Sequence, residues 1–237
     1  MQKNDLVELR ITDFTQEGLG VGHAGGMAVF VKDTVIGDLV SALIIKVKKT
    51  YAYGRVMRIL EDSPDRVTPP CPVARPCGGC QIQMMDYQAQ LGYKQEKVKN
   101  CLIRIGGFPE TMFAAKAGIM EPILGMDDPF RYRNKAQYPV GRDKDGNPVA
   151  GFYAGRTHSI IDCRDCLLGV PENAKILDIV LAHMKKNRIE PYDELTGKGL
   201  VRHVVIRKGF ASGQIMVVLV LAGKDLPGRQ DLVAELG

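Results

Sequence analysis

Three cysteines, Cys71, Cys77 and Cys80, lie in one ten-residue segment that is rich in proline and glycine. Thiolate sulfur is a soft ligand that proteins use for zinc and for iron–sulfur clusters, and both kinds of centre commonly take four ligands. The prolines lower the entropic cost of gathering three thiols in one place. Gly78 and Gly79 allow backbone N–H groups to approach cluster sulfides. The segment therefore indicates a metal centre.

The fourth ligand is expected from Cys163 or Cys166, which lie much further along the chain. A compact set of three cysteines joined by one distant cysteine favours a 4Fe–4S cluster. Pairing Cys77-x-x-Cys80 with the two distant cysteines gives a four-cysteine zinc site of the ribbon kind instead, and leaves Cys71 unused. A redox-active dithiol at Cys77 and Cys80 is a third alternative, although the pair does not begin a helix after a strand.

The elements before the cysteines have the pattern of an all-β domain. Val7, Leu9 and Ile11 alternate with polar residues, and three more short strands are predicted at 27–31, 39–47 and 52–60. This pattern predicts a small closed barrel of the OB kind. The segment Gly18–Gly22 leads into a strand instead of a helix, so we interpret it as a turn and not as a phosphate-binding loop. Prolines from Pro64 to Pro72 mark a boundary. We predict a barrel over residues 1–62 and a second domain over residues 63–237, with its cysteine loop at 63–108.

The second domain has the pattern of an α+β fold. Asp86 is placed to cap a helix over residues 88–105 that ends at Gly106-Gly107, and Cys101 within it is expected to pack in the core. Asp145-Gly146 predicts the turn of a hairpin over residues 135–153. The remaining predicted elements are a strand at 159–162, a helix at 172–186 and strands at 200–208 and 214–221.

Composition excludes several classes of protein. The chain has 237 residues, of which 45% are hydrophobic and 25% charged, with a formal charge of +5. No apolar run reaches the roughly 18 residues of a membrane helix, and the first residues lack the apolar stretch of a signal peptide. We therefore expect a cytoplasmic protein with no membrane partner. The mild net charge does not by itself indicate nucleic acid, so the placement of the charges matters more.

Basic residues cluster at two places that also suit RNA. The first cluster lies on predicted barrel strands, and the second combines charge with amide groups that can recognise base edges. We predict RNA contacts from Lys46, Lys48, Lys49, Arg55, Arg131, Arg133, Asn134, Lys135 and Gln137. Tyr132 and His158 are weaker candidates for the same role.

Four features together resemble the iron–sulfur RNA uracil-5-methyltransferases that modify bacterial ribosomal RNA. They are an N-terminal barrel similar to a TRAM domain, the spacing Cys-x5-Cys-Gly-Gly-Cys, the segment from Phe130 to Gln137, and His158 to Asp162 leading to Cys166. The resemblance implies that Cys71, Cys77, Cys80 and Cys166 hold a 4Fe–4S cluster and that Cys163 is the surplus cysteine. It also implies 23S rRNA as the partner of a monomeric protein.

The same resemblance implies where the chemistry lies. In that family a thiolate adds to uracil C6, the resulting enolate takes a methyl group from S-adenosylmethionine (SAM), and a carboxylate removes the C5 proton. The family order is TRAM barrel, central domain, then a SAM-binding α/β domain. The sequence stops at Gly237, so we expect the SAM-binding domain to be absent, all catalytic residues to lie beyond Gly237, and the chain to be inactive alone.

Two other functional classes remain open at this point. One is a stand-alone RNA-binding protein with an OB-type barrel and a four-cysteine zinc ribbon. The other is a ferredoxin-like electron carrier, which would leave the large part of the chain outside the cysteine segment without a purpose.

Overall fold

The computed structural model describes residues 1–113, 118–155 and 157–237. The chain divides into two compact units. We call residues 1–70 with 80–127 the barrel unit, and residues 71–79 with 128–237 the sheet unit. Within the described ranges, no helix has both the length and the apolar composition needed to cross a membrane.

The barrel unit begins with a closed five-stranded barrel. Its strands are β1 (Leu6–Phe14), β2 (Gly20–Ala24), β3 (Met27–Lys32), β4 (Leu39–Val47) and β5 (Tyr51–Glu61). Antiparallel pairing joins β1 to β2, β2 to β3, β4 to β5 and β1 to β4, and parallel pairing of β3 with β5 completes the barrel. Closure removes exposed sheet edges, so every strand has two hydrogen-bonded neighbours.

The barrel core consists of alternate residues of four of the strands. It contains Leu9, Ile11, Val29, Val31, Val40, Ala42, Ile44 and Ala52. Alternation follows from the two-residue period of a strand, which places successive side chains on opposite faces. Part of the glycine-rich segment interpreted as a turn is in fact strand β2, in which Gly22 lies against β1: a Cβ there would be 2.5 Å from the carbonyl oxygen of Arg10.

The barrel unit also contains α1 (Tyr87–Arg104). The Asp86 carboxylate accepts hydrogen bonds from the backbone N–H groups of Gln88 and Ala89, as an N-cap does. The expectation that Cys101 packs in the core of this helix is wrong: Cys101 is exposed, and α1 has no buried residue.

The sheet unit contains a five-stranded antiparallel sheet covered by helix α2. Its strands are β6 (Lys135–Arg142), β7 (Pro148–Tyr153), β8 (Ile160–Asp162), β9 (Val201–Lys208) and β10 (Ile215–Leu221), in the order β10-β9-β6-β7-β8. Helix α2 (Glu172–Lys186) buries Leu177, Val180 and Met184 in one core with residues of β6, β7 and β9. A short helix α3 (Arg229–Leu236) contributes Leu232 to that core.

Candidate functional site

The cysteine segment 71–79 is held against the end of β7. Cys77 forms an isolated bridge with Ala154, and the backbone N–H of Gly78 donates to the carbonyl oxygen of Tyr153 at 3.1 Å. A Cβ at position 78 would lie 3.1 Å from that same oxygen, so glycine permits the close approach of the two backbones. The fold therefore fixes the segment by backbone contacts that do not depend on the thiols.

Four sulfur atoms share one neighbourhood of the sheet unit. Cys77 is buried, and Cys71, Cys163 and Cys166 are partly buried. A hydrogen bond to Cys166, followed by burial, raises the pKa of Cys163, and Cys71 and Cys77 raise it further through space. Burial likewise raises the pKa of Cys71, with smaller contributions from Cys166 and Cys77. Cys71, Cys77, Cys163 and Cys166 therefore lie within electrostatic range of one another, and which of them bind a metal stays a prediction.

Cys166 has the environment of a thiolate. The hydrogen bond from the Cys163 thiol lowers the pKa of Cys166 to about 6, against the opposing effect of burial. Hydrogen bonds from the backbone N–H groups of Leu168 and Gly169, and the charge of Arg133, lower the pKa further. Metal centres bind the thiolate form of cysteine, so this position suits a ligand.

The fourth predicted ligand, Cys80, belongs to the barrel unit. Its sulfur accepts a hydrogen bond from Nε2 of Gln83 at 3.3 Å. In residues 1–113, 118–155 and 157–237, no three His, Cys, Asp or Glu side chains form a group able to hold a metal ion. The cysteine thiols are chemically suited to a soft metal or an iron–sulfur cluster. In the part of the chain that the structure describes, however, they do not form a complete set of ligands.

Arg131 connects β6 to the loop that carries Cys166. Its guanidinium donates two hydrogen bonds to the Asp165 carboxylate, at 2.5 and 3.1 Å, and its Nη1 also lies 3.3 Å from the carbonyl oxygens of Cys166 and Gly169. Its backbone N–H donates to the carbonyl oxygen of Leu167, and its φ of 55° lies in the left-handed region. This predicted RNA-binding residue therefore also holds the cysteine loop in place.

The other predicted RNA-binding residues of the sheet unit are exposed. Lys135 and Gln137 lie on β6, opposite Arg207 and Val205 of β9, and the backbone carbonyl of Asn134 accepts from Lys208 N–H. The Arg133 guanidinium is 6.0 Å from the centroid of the Tyr132 ring. These side chains present positive charge and hydrogen-bonding groups at one end of β6.

His158 lies in a cleft of about 760 Å³ in the sheet unit. Its ring is 5.7 Å from that of Tyr153, and its Nδ1 is 3.8 Å from a carboxylate oxygen of Glu194. Arg202 lies over the Tyr192 ring in the same cleft, 4.7 Å from its centroid. Both acidic and basic groups line this cleft, so its charge does not select one kind of ligand.

The predicted barrel cations surround the hairpin between β4 and β5. Lys46 lies in β4, Lys48 and Lys49 in the turn and Arg55 in β5, and all four are exposed. Three aromatic residues on the neighbouring outer surface were not predicted as part of a site: Phe30, Tyr51 and Tyr53, whose rings contact one another. The two-residue spacing of the tyrosines was the available signal, but the third ring joins them only through the parallel pairing of β3 with β5.

Comparison with known families defines the class of the first domain. Residues 2–57 match the TRAM domain, so the closed barrel is a TRAM domain.

Whole-chain comparison then extends the relationship beyond the barrel. The chain is 44% identical over 236 residues to an uncharacterized RNA methyltransferase of Halalkalibacterium halodurans and 40% identical over 236 residues to one of Clostridium tetani. Each alignment covers 100% of this chain but only 50% and 49%, respectively, of the relative. The chain is therefore homologous to RNA methyltransferases along its whole length and spans about half the length of these relatives.

A solved structure supports the same fold. The tRNA (uracil-54, C5)-methyltransferase of Pyrococcus abyssi, crystallised with S-adenosyl-L-homocysteine, superimposes with a TM-score of 0.66 at 21% identity. The match covers 94% of this chain and 48% of that enzyme.

This similarity corrects the predicted fold class, an OB-like barrel and an α+β domain with the SAM-binding domain absent. The match covers 94% of the chain, so the chain has a methyltransferase-like fold over that length. The expectation that defined the fold class by an absent SAM-binding domain is therefore wrong. The error came from treating the last residue of the sequence, Gly237, as evidence about domains. A sequence that spans half the length of its relatives carries no information about domains outside that span.

Proposed function

We propose that this chain provides the RNA-recognition part of a SAM-dependent RNA uracil-5-methyltransferase. The observation that carries the proposal is its whole-length homology to bacterial RNA methyltransferases, at 44% identity to one of them. The uracil C5 specificity is supported by the fold match to an enzyme of that activity. SAM is the proposed methyl donor of the whole protein, and we assign no residue of this chain to it.

The TRAM barrel supplies the electrostatic part of RNA binding in this proposal. Lys46, Lys48, Lys49 and Arg55 contact phosphates, which gives affinity and orientation without selecting a sequence. Arg133, Asn134, Lys135 and Gln137 of the sheet unit add exposed groups able to hydrogen-bond base edges. The 23S rRNA target, the monomeric state, the domain boundary at residue 63 and the cytoplasmic location stay predictions.

Cys71, Cys77, Cys80 and Cys166 are the proposed ligands of a 4Fe–4S cluster. The shared neighbourhood of Cys71, Cys77 and Cys166 supports three of them, and sequence spacing alone assigns Cys80. When bound, the cluster would cross-link the cysteine segments, a structural role, because transfer of a methyl group from SAM needs no net electron transfer. The backbone N–H groups of Leu168 and Gly169 stabilise the Cys166 thiolate, which is the form that binds a metal.

A zinc site is the second candidate, and one observation favours it. Cys163 contacts Cys166 directly, and Cys71 and Cys77 lie in the same electrostatic neighbourhood, so the sheet unit alone contains four sulfurs. Four thiolates are a common set for structural zinc. Cys80 is the surplus cysteine in this alternative, in place of Cys163.

RNA binding by the chain tests the proposed function directly. We expect the purified 237-residue chain to bind fluorescently labelled single-stranded RNA, with an affinity that falls steeply as salt concentration rises. Fluorescence anisotropy titrations at several salt concentrations measure this. A labelled anionic polypeptide serves as the control polyanion. Equal affinity for RNA and for that polypeptide, or no binding to RNA, would contradict the proposal.

Metal analysis of paired cysteine variants tests the two ligand sets. After anaerobic purification, we expect iron and acid-labile sulfide in the unmodified chain, loss of iron in Cys166→Ser and Cys80→Ser, and unchanged iron in Cys163→Ser. Cys101→Ser is the matched control, because that thiol is exposed on α1. One zinc per chain, lost in Cys163→Ser and kept in Cys80→Ser, would replace the cluster with the zinc site.

A further inference from the structure

Three aromatic rings form a continuous patch on the outer face of the barrel. The centroids of Phe30 and Tyr51 are 5.3 Å apart, those of Phe30 and Tyr53 5.7 Å, and those of Tyr51 and Tyr53 5.6 Å. Buried residues flank them in each strand: Val29 and Val31 beside Phe30, and Ala52 between the tyrosines. Because side chains alternate between the faces of a strand, the three rings lie on the side opposite the barrel core. We call Phe30, Tyr51 and Tyr53 the aromatic triad.

Strand register places the triad among cations. Lys32 of β3 pairs with Arg55 of β5, one step beyond the Phe30–Tyr53 pair on the same face. On the other side of β5, Lys46 pairs with Tyr53, and the backbone N–H of Lys48 donates to the carbonyl oxygen of Tyr51. Two residues along a strand advance about 6.6 Å, so positive charge lies within one or two residue positions of each tyrosine.

The pattern of polar and apolar groups identifies the chemistry of a ligand. The three rings are partly exposed, and their neighbours in the register across β2, β3 and β4 are Val21, His23, Ala28 and Lys46, none of which is a carboxylate. An exposed aromatic surface bordered by cations suits a polyanion that also carries flat rings. Single-stranded nucleic acid has both features, since its bases are unpaired and can stack on side chains. A duplex presents the phosphates without free base faces.

We propose that the aromatic triad is a stacking platform for unpaired bases of the RNA, with Lys32, Lys46, Lys48 and Arg55 holding the adjacent phosphates. The platform rests on the proposed function, because the RNA is the ligand in both. It adds that the TRAM barrel selects single-stranded over duplex RNA, and that it does so through base faces without reading base identity. Stacking tolerates any sequence because every base has a π-face.

The test compares two probes that share a backbone. One is an oligouridylate of about twelve nucleotides, within the roughly 4–16 nucleotides that an OB-type barrel covers. The other is its abasic counterpart, which keeps the phosphates and lacks the bases. Loss of one stacking residue should lower the affinity for oligouridylate roughly tenfold in Tyr53→Leu and in Tyr51→Leu, and should leave the affinity for the abasic chain unchanged.

Matched variants separate stacking from folding. Tyr53→Phe keeps the ring and should bind both probes like the unmodified chain. Leu6→Ala changes an exposed apolar residue of β1, a strand not paired with β3 or β5, and should have no effect on either probe. Circular dichroism confirms that each variant is folded, and Tyr51→Leu provides the measurement if Tyr53→Leu does not fold.

Tyrosine emission gives a second measurement, because the chain contains eight tyrosines and no tryptophan. Oligouridylate should quench part of this emission, the abasic chain should not, and Tyr51→Leu should reduce the quenching.

The possible outcomes distinguish the stacking platform from the proposed RNA-recognition function. Equal losses of affinity for both probes, no loss for either, or equal binding of duplex and single strands by the unmodified chain would overturn the platform while leaving RNA recognition intact. Failure of the unmodified chain to bind any RNA would overturn both.

Discussion

The barrel and the cysteine region are built in opposite ways. The barrel is formed by five strands that succeed one another between Leu6 and Glu61, around a core of apolar side chains. In the cysteine region, residues 131–133 contact residues 165–169 through backbone and charged hydrogen bonds, and residues 71–79 contact residues 153–155 through backbone hydrogen bonds. A barrel with its own core presents a ready surface for RNA, whereas a loop assembly with four thiols depends on polar contacts or on a bound centre.

The largest expected effect is at Asp38, where the barrel depends on one buried charge. The carboxylate of Asp38 is fully buried and accepts hydrogen bonds from Val35 N–H at 2.6 Å, Ser63 N–H at 2.9 Å and Arg66 Nε at 3.0 Å. Asp38→Ala leaves the guanidinium and both N–H groups without this acceptor, so we expect a loss of about 3–5 kcal/mol in the free energy of unfolding. Urea titration followed by circular dichroism measures it. Asp38→Asn, which keeps the shape and one acceptor oxygen, should lose less.

The same carboxyl makes stability depend on pH. Burial acts to raise the pKa of Asp38, but the hydrogen bonds from Arg66 and from the Ser63 and Val35 N–H groups outweigh it, so the folded pKa lies below its usual value. The stabilisation is therefore complete above the unfolded pKa of about 3.9 and is lost as pH falls through the folded pKa. Asp38→Ala should show a shallower loss of stability on acidification. An equally steep loss would show that other carboxyls dominate.

The cysteine region should respond less, because its contacts are partly exposed. Arg131→Ala removes the bidentate bond to Asp165 and the bonds to two loop carbonyls, and we expect a cost of about 1–2 kcal/mol. Arg164 also forms two ion pairs, with Asp162 and Asp178, but both are on the surface. Arg164→Ala should therefore cost under about 0.5 kcal/mol.

Thermal and urea unfolding of Arg131→Ala and Arg164→Ala measure the two losses of stability. RNA affinity of the same variants then separates the role of Arg131 in holding the cysteine loop from its predicted role in binding RNA. Weaker RNA binding with unchanged stability would assign Arg131 to the RNA surface. Equal stability losses in the two variants would remove the special role of Arg131 in holding the cysteine loop.

The two regions also differ in how far the sequence alone predicts them. Alternation of apolar and polar residues in β1, followed by further short apolar runs, is a local signal, and it predicted a barrel. The helix at Tyr87–Arg104 was predicted within one residue at each end, but it buries no residue, and its apolar residues Val98 and Leu102 are exposed. Periodicity predicts a helix without showing which neighbour covers it.

Contacts between distant residues were beyond prediction for a physical reason. Arg131 and Asp165 are 34 positions apart, and nothing in either short segment specifies the other. Phe30 joins Tyr53 only because β3 and β5 pair in parallel, a register fixed by barrel closure. The cysteines were a partial exception, because ligands of one kind restrict the possible partners. Cys71, Cys77, Cys163 and Cys166 lie within electrostatic range of one another, whereas Cys80 belongs to the barrel unit and its role as a ligand stays a prediction.

The smallest expected change in stability is at the barrel surface, where the change in RNA affinity should be clear. Lys48 and Lys49 are exposed in the hairpin turn, so Lys48→Gln with Lys49→Gln should alter the free energy of unfolding by under about 0.5 kcal/mol. If both contact phosphates, RNA affinity should fall roughly tenfold at physiological salt. The slope of log affinity against log salt should become shallower by about 1.4, at roughly 0.7 per phosphate of a single strand.

A control with the same charge change isolates position from net charge. Lys175→Gln with Lys224→Gln removes two exposed charges from the sheet unit and should leave the salt slope unchanged. Equal slopes for the two double variants would show that the RNA senses only the total charge of the chain. The barrel would then lose its phosphate contacts, and the aromatic triad would remain as its only specific contribution to binding.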